Sequence, residues 1–230
     1  MDLARAKLII IMGPPGSGKG TQAKLLREKF GLNYLATGDV VREMCRRAET
    51  GDPLGQKVKE RYDRGEPQPD DLILRAVRQK LSELDLAKGI IFDAFPLSEP
   101  QALGLDEIIT EFKLAQPVAV NVEVGEDEVV KRLGLRKFCP KDNSVYYPKS
   151  PTYEENQCAV CGGELIRRSD DTPEVARERY RKYIDRITNL VNFYQKRKQL
   201  VPINGEQSVP AVAEEIIHKI ERYQPVETSA

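Results

Sequence analysis

The run Gly13-Pro14-Pro15-Gly16-Ser17-Gly18-Lys19 constrains this chain more than any other segment of it. It has the spacing G-x-x-x-x-G-K, and its setting suits that spacing. Before it stands Lys7-Leu8-Ile9-Ile10-Ile11-Met12, an apolar run that reads as a strand buried on both faces, as in a parallel sheet. After it comes Thr21 to Phe30, with Ala23, Leu25 and Leu26 at helical spacing. A strand, a glycine-rich turn and a helix in that order point successive backbone N–H groups at one anion, and the helix N-terminus adds its partial positive charge. Gly13, Gly16, Ser17, Gly18, Lys19, Gly20 and Thr21 are therefore the candidate phosphate cradle, with Lys19 following a phosphoryl group in transfer. Gly20 stands where such loops usually carry a metal-touching hydroxyl. Magnesium must then be held largely through water and more distant carboxylates.

The rest of the chain continues the alternation of strand and helix. Asn33 to Ala36, Gly89 to Asp93, Val118 to Val124 and Leu200 to Ile203 read as further strands. Helices are expected over Asp39 to Ala48, Leu54 to Arg64, from Asp70 through an apolar stripe to Leu84, over Glu126 to Arg136, Pro173 to Lys198 and Val209 to Tyr223. That pattern implies a doubly wound α/β core. Phe138 to Ile166 breaks it: few aliphatics, several Tyr and Pro, and three of the four cysteines, which reads as a small inserted module. The tail from Gln224 is expected to fray.

Composition excludes several classes. The 230 residues carry 36 basic and 36 acidic side chains, a formal charge of zero, without the basic surplus of a nucleic-acid or anionic-membrane binder. The apolar run at Leu8 to Met12 is too short for a membrane span or a secretory signal. Four cysteines, three of them bunched, do not make a disulfide framework. The chain reads as cytoplasmic.

Several segments, the phosphate loop among them, carry a resemblance. Gly13 to Gln22, with Gly after the Lys, resembles the phosphate loop of adenylate kinases. Thr37-Gly38-Asp39-Val40-Val41-Arg42 is similar to the family's T-G-D-hydrophobic-hydrophobic-R, and Asp93-Ala94-Phe95-Pro96-Leu97-Ser98-Glu99-Pro100-Gln101-Ala102 resembles D-G-F-P-R-T-x-x-Q-A, with departures at Ala94 and Leu97. Arg132 and Arg136 resemble the arginines that open the family's lid, and Arg168-Ser169-Asp170-Asp171 with Arg179 those that close it. The resemblance implies a P-loop kinase core with a five-stranded parallel sheet (residues 1–35, 66–134 and 171–230). It also implies a nucleoside-monophosphate-binding helical insert (36–65) and a zinc-knuckle lid (135–170) of the bacterial long-lid type. The implied reaction is ATP + AMP to two ADP, with magnesium, in a protein that works as a monomer.

The residues suit that chemistry. Two polyanions must approach each other, so cations must line the cleft, and arginine's fork matches phosphate oxygens. By the resemblance, Lys19, Arg132, Arg168 and Arg179 are catalytic. Arg132 and Arg136 also hold ATP, while Thr37, Arg42, Ala94, Gln101, Arg168 and Arg179 hold AMP. Asp39 and Asp93 would orient magnesium-bound water. The attacking phosphate oxygen is already anionic, so no general base is needed, in keeping with a single histidine, His218, far from every motif. Cys139, Asp142, Cys158 and Cys161 form two short C-x-x-ligand turns, a closed set that suits structural zinc. The family usually has Cys where Asp142 stands. Two alternatives stay open: a kinase for another nucleoside monophosphate or with GTP as donor, and a nucleotide-binding protein with reduced or lost turnover, which the departures at Ala94 and Leu97 motivate.

Overall fold

Alternate side chains of β1 (Leu8–Met12) enter two different cores, and this one strand sets the layering of the molecule. Leu8, Ile10 and Met12 pack among Met44, Val77, Ile108 and Leu190 on one side; Ile9 and Ile11 pack among Ala23, Leu26, Val212 and Ile216 on the other. Every residue of the strand is buried, as expected of a parallel sheet covered on both faces. The computed structural model describes residues 8–141, 144–148, 151–167 and 171–223, with the backbone alone at 151 and 152.

The elements follow one another as strand, helix, strand. After β1 come α1 (Lys19–Phe30), β2 (Asn33–Ala36), α2 (Thr37–Ala48), α3 (Pro53–Asp63) and α4 (Asp70–Leu81). A short 3-10 turn (Leu86–Lys88) leads into β3 (Ile90–Asp93), α5 (Glu99–Glu111), β4 (Pro117–Glu123) and α6 (Glu126–Leu135). The chain ends with α8 (Pro173–Lys196), β7 (Leu200–Asn204) and α9 (Val209–Arg222). Five strands form one parallel sheet in the order β2-β3-β1-β4-β7. The carboxyl end of β1 thus opens at the centre of the sheet, where doubly wound folds bind their ligands.

α2 and α3 form a helical hairpin beside this opening. A Cβ at Gly55 would lie 2.5 Å from the Met44 carbonyl oxygen, so only glycine allows so close an approach. Asp52 caps α3 by accepting the N–H groups of Leu54 at 2.8 Å and Gly55 at 3.0 Å. Glu43 and Arg47 of α2 pair with Lys80 and Glu83 at the end of α4, which fastens the hairpin to the core.

The module after α6 is built differently. β5 (Lys137–Phe138) and β6 (Val145–Tyr146) make a small antiparallel hairpin, followed by α7 (Pro151–Glu154). Isolated bridges join Phe138 to Ile166 and Gln157 to Glu164. Its own small core is Cys139, Cys158 and Leu165, with Tyr146 against them.

Most expected elements stand where the sequence placed them, with ends shifted by one or two residues. α1 starts at Lys19 rather than Thr21, because the loop passes into the helix without a spacer. α5, the 3-10 turn and the β5–β6 hairpin were not foreseen: α5 follows Pro96 closely, and two-residue strands leave no periodicity to read. The tail from Gln224 lies outside the described residues.

Candidate active site

The loop between β1 and α1 is shaped by contacts a side chain would destroy. A Cβ on Gly13 would sit 2.5 Å from Ser17 Oγ and 2.8 Å from the Val122 carbonyl oxygen, at a φ of 155°. Ser17 is buried; its N–H donates to the Pro14 carbonyl at 3.0 Å and its hydroxyl accepts the Lys19 N–H at 3.4 Å. The N–H of Gly13 donates to the phenol oxygen of Tyr183, from α8, at 2.7 Å. Sequence reasoning missed Tyr183, since nothing in its spacing separates it from the other aromatic residues of a long helix.

Lys19 opens α1 with its side chain crowded by protein. Among the described residues its ammonium has no hydrogen-bond acceptor. Burial pushes its pKa down, the Asp93 carboxylate opposes that shift, and the Arg136 guanidinium adds to it. A cation held near another cation without a direct partner is a site prepared for an anion. Asp93, at the end of β3, is 8% exposed. Its Oδ2 accepts the Tyr34 hydroxyl at 2.7 Å and its Oδ1 is buried without a partner. A free carboxylate oxygen beside a phosphate cradle fits the water shell of a hard cation.

The arginines gather around the same opening. Arg132 of α6 donates from Nε to Glu128 at 2.9 Å, from Nη2 to the Gly205 carbonyl at 2.9 Å and from Nη1 to the Ser17 carbonyl at 3.4 Å. It therefore ties the phosphate loop to the turn after β7. Arg136 forms a two-pronged pair with Asp171, at 2.9 and 2.6 Å, and Arg179 of α8 reaches the same carboxylate at 3.7 Å. The Asp171 side chain is only 3% exposed, so Arg136 and Arg179 are held around one buried charge. Arg168 and Asp142 lie outside the described residues.

Across the opening, α2 and the loop after β3 meet. The Thr37 hydroxyl donates to the Ala94 carbonyl at 2.6 Å, and Ala94 holds a left-handed φ of 56°. Arg42 pairs with Asp39 one turn earlier on exposed helix surface. Gln101 is buried with both ends of its amide bonded: its Oε1 accepts the Leu97 N–H at 2.8 Å, and its Nε2 donates to Asp70 at 2.6 Å. Leu97 is half-buried against the core, and its carbonyl accepts Nε of Arg186 at 3.1 Å.

In the small module the sulfurs of Cys139, Cys158 and Cys161 lie within 4.8 Å of one another, with Cys139 and Cys161 3.4 Å apart. Tetrahedral zinc with bonds of ~2.3 Å separates its sulfurs by about 3.8 Å, so the three thiols are spaced for such an ion. Cys45, which the sequence left without a role, is half-buried against the core, and burial raises its pKa. His218 is exposed on α9, and no helix among the described residues is long and apolar enough to cross a membrane.

Known proteins share this design. The sequence model of the family described as adenylate kinase matches residues 11–199. An adenylate kinase of Archaeoglobus fulgidus is 41% identical over 209 residues, covering 90% of this chain and 95% of its own. One from Thermosipho melanesiensis is 39% identical over 215 residues (93% and 99%), and one from Methanothrix thermoacetophila is 36% identical over 216 residues (94% and 99%).

Proposed function

This chain belongs to the adenylate kinase family, and we propose that it transfers a phosphoryl group reversibly between ATP and AMP to give two ADP, with its own residues dividing the work as follows. The observation that carries this reading is Lys19, an ammonium at the end of the phosphate loop with no hydrogen-bond acceptor among the described residues, lowered in pKa by burial and near a half-free carboxylate.

An oxygen of the AMP phosphate attacks the γ-phosphorus of ATP, the bond from that phosphorus to the bridging oxygen breaks, and ADP leaves on each side. The step needs positioning and charge neutralisation more than proton transfer. The loop from Gly13 to Thr21 cradles the ATP phosphates, through N–H groups other than those of Gly13 and Ser17, which are bonded to Tyr183 and Pro14, with Gly16, Ser17, Gly18 and Gly20 leaving room for them. Lys19 follows the transferring group. Arg132 and Arg136 hold the ATP side, and Arg179 with Arg168 spans both nucleotides. To reach phosphate, Arg136 and Arg179 must share or leave Asp171, a buried anion that keeps them poised without nucleotide.

On the AMP side we assign Thr37, Arg42, Ala94 and Gln101. Gln101 acts by shaping the 97–101 loop as well as by any contact of its own, since both ends of its amide are already bonded. Magnesium brought in with ATP would neutralise phosphate charge, and Asp93 and Asp39 would hold its water shell. The insert at 36–65 and the lid at 135–170 close over the two nucleotides, and the core of 1–35, 66–134 and 171–230 carries the loop.

Structural zinc in the lid, on Cys139, Cys158, Cys161 and Asp142, is supported by the three gathered sulfurs and by a module whose own core is small. Four cysteines without a disulfide among the described residues suit the reducing cytoplasm. Charge balance speaks against nucleic-acid partners, and we take the working form to be a monomer, as the family resemblance implies.

A coupled assay of ADP formation tests the reading, run with ATP or GTP against each common nucleoside monophosphate. Turnover with ATP and AMP is expected. A preference for another acceptor or for GTP would move the assignment within the kinases, and nucleotide binding without turnover would sink it.

A further inference from the structure

The two oxygens of Asp93 have different fates. Oδ2 accepts the Tyr34 hydroxyl at 2.7 Å; Oδ1 is buried and has no partner. Lys19 is near enough for the two charges to influence each other, yet they form no ion pair. Asp93 is 8% exposed, so its carboxylate has lost much of its water and gains from any cation within reach.

The sheet explains why Tyr34 reaches this oxygen. In the β2–β3 register Tyr34 stands opposite Ile91, so Asp93, two residues on, is its diagonal neighbour on the same face. That face is covered by α1, against whose core the Tyr34 ring packs. A Cβ at Gly20 would lie 3.4 Å from Asp93 Oδ2, which puts the bonded oxygen against the start of α1.

We propose that Tyr34 is a positioning residue for the nucleotide-bound magnesium: its hydroxyl holds Oδ2 of Asp93, so that Oδ1 stays turned to the metal's water shell instead of closing on Lys19. The inference rests on the assignment of Asp93 above. It has two consequences. Lys19 remains unpaired and available to phosphate, and Asp93 keeps one oxygen for a hydrated cation. The hydroxyl remains a donor at all working pH values, because burial and the neighbouring Asp93 and Asp39 charges all push the phenol's pKa up, with the Arg27 charge opposing them.

The test removes one oxygen atom. Tyr34→Phe keeps the ring and its packing. Manganese serves as the probe, its binding followed by electron paramagnetic resonance in the complex with β,γ-methylene-ATP. We expect Tyr34→Phe to bind Mn²⁺ about 3- to 10-fold more weakly there, as loss of a partner behind a metal-holding group does. Binding of the analogue in excess EDTA should stay within about twofold. The Mg²⁺ concentration for half-maximal ADP formation should rise by the same factor. In an Asp93→Asn background the Tyr34→Phe change should have no further effect on Mn²⁺. Unchanged or tighter Mn²⁺ binding, whether or not the melting temperature falls, would overturn the proposal, as would an equal effect in the Asp93→Asn background. The manganese measurement contains no AMP. A chain that failed to phosphorylate AMP would still show the shift, and one that phosphorylates AMP with Mn²⁺ affinity unmoved would keep its function and lose this role for Tyr34.

Discussion

The phenol oxygen of Tyr183 accepts the backbone N–H of Gly13 at 2.7 Å, joining two residues that are 170 positions apart in the chain. The first N–H of the phosphate loop is thereby removed from the set available to a ligand and spent on α8, the helix that also carries Arg179 one turn earlier. Loop and arginine are coupled through one helix. Tyr183 is half-buried against the core, and burial raises its pKa, with the Gly13 N–H opposing the shift.

Tyr183→Phe should therefore do more than remove a surface oxygen. It leaves the Gly13 N–H without a partner in a half-buried site, at a cost of about 1–3 kcal/mol. For a chain of this length that lowers the melting temperature by roughly 2–12 °C. Equilibrium urea denaturation checks it. A variant as stable as the parent would mean that water replaces the phenol freely.

Lys19→Met should lower kcat by several orders of magnitude while circular dichroism and melting stay near those of the parent. The ammonium has no partner among the described residues to lose, so the fold does not depend on its charge. Turnover within about tenfold of the parent, roughly 1.4 kcal/mol in the barrier, would mean that Lys19 does not follow the phosphoryl group.

The ease of reading the core and the difficulty of reading its contacts have one physical cause. β1 is legible because burial on both faces forces a continuous apolar run, and the loop is legible because only glycine fits at Gly13. The Tyr34–Asp93 and Tyr183–Gly13 bonds span 59 and 170 residues and depend on which strands lie side by side. Neither tyrosine lies in a motif, and each looks in sequence like one more half-buried aromatic. The cysteine turns were legible by spacing, whereas the β5–β6 hairpin beside Cys139 has two residues per strand. Asp171 was visible only as part of an arginine-containing motif, and its role as the shared anion for Arg136 and Arg179 needed the fold.

Ala94 holds φ at 56° while its carbonyl accepts the Thr37 hydroxyl. A left-handed backbone costs a residue with a Cβ about 1–2 kcal/mol, and glycine gives back part of that through the freedom of its unfolded chain. Ala94→Gly should stabilise the protein by about 0.5–1 kcal/mol, a rise of roughly 1–4 °C in melting temperature. Calorimetry checks it. A fall in melting temperature would mean that the Ala94 methyl group makes contacts worth more than the strain it causes.

The lid should carry one zinc per chain when the protein is purified without chelator, measured by atomic emission. Removing it should lower the melting temperature of the lid and leave the circular dichroism of the sheet and its helices nearly unchanged, because the two large cores do not include Cys139, Cys158 or Cys161. Asp142→Cys should keep the zinc and hold it more tightly, since thiolate is the softer ligand. Absence of zinc in such a preparation would remove this role from the three gathered sulfurs.

Leu97 stands where the adenylate kinase pattern has an arginine, and leucine offers neither charge nor donor. Its backbone is held from both sides: the N–H by Gln101 at 2.8 Å, the carbonyl by Arg186 at 3.1 Å. A new side chain therefore changes what projects from the loop more than the path of the loop. Leu97→Arg gives up part of a half-buried apolar contact with the core, a loss of about 1–2 kcal/mol in stability. It gains a guanidinium beside the monophosphate site. A charge-assisted hydrogen bond of about 1.5–3 kcal/mol corresponds to roughly ten- to hundredfold in affinity, reduced here by repulsion from the neighbouring Arg186. The KM for AMP should fall and kcat/KM should rise, with the KM for ATP nearly unmoved, because Arg132 and Arg136, the residues proposed for that side, are left unchanged. Steady-state kinetics with each substrate varied in turn reads the difference. An unchanged or higher AMP KM in a folded Leu97→Arg protein would mean that its monophosphate site is built on other cations than the family pattern, and it would turn the acceptor scan into the deciding experiment for the substrate.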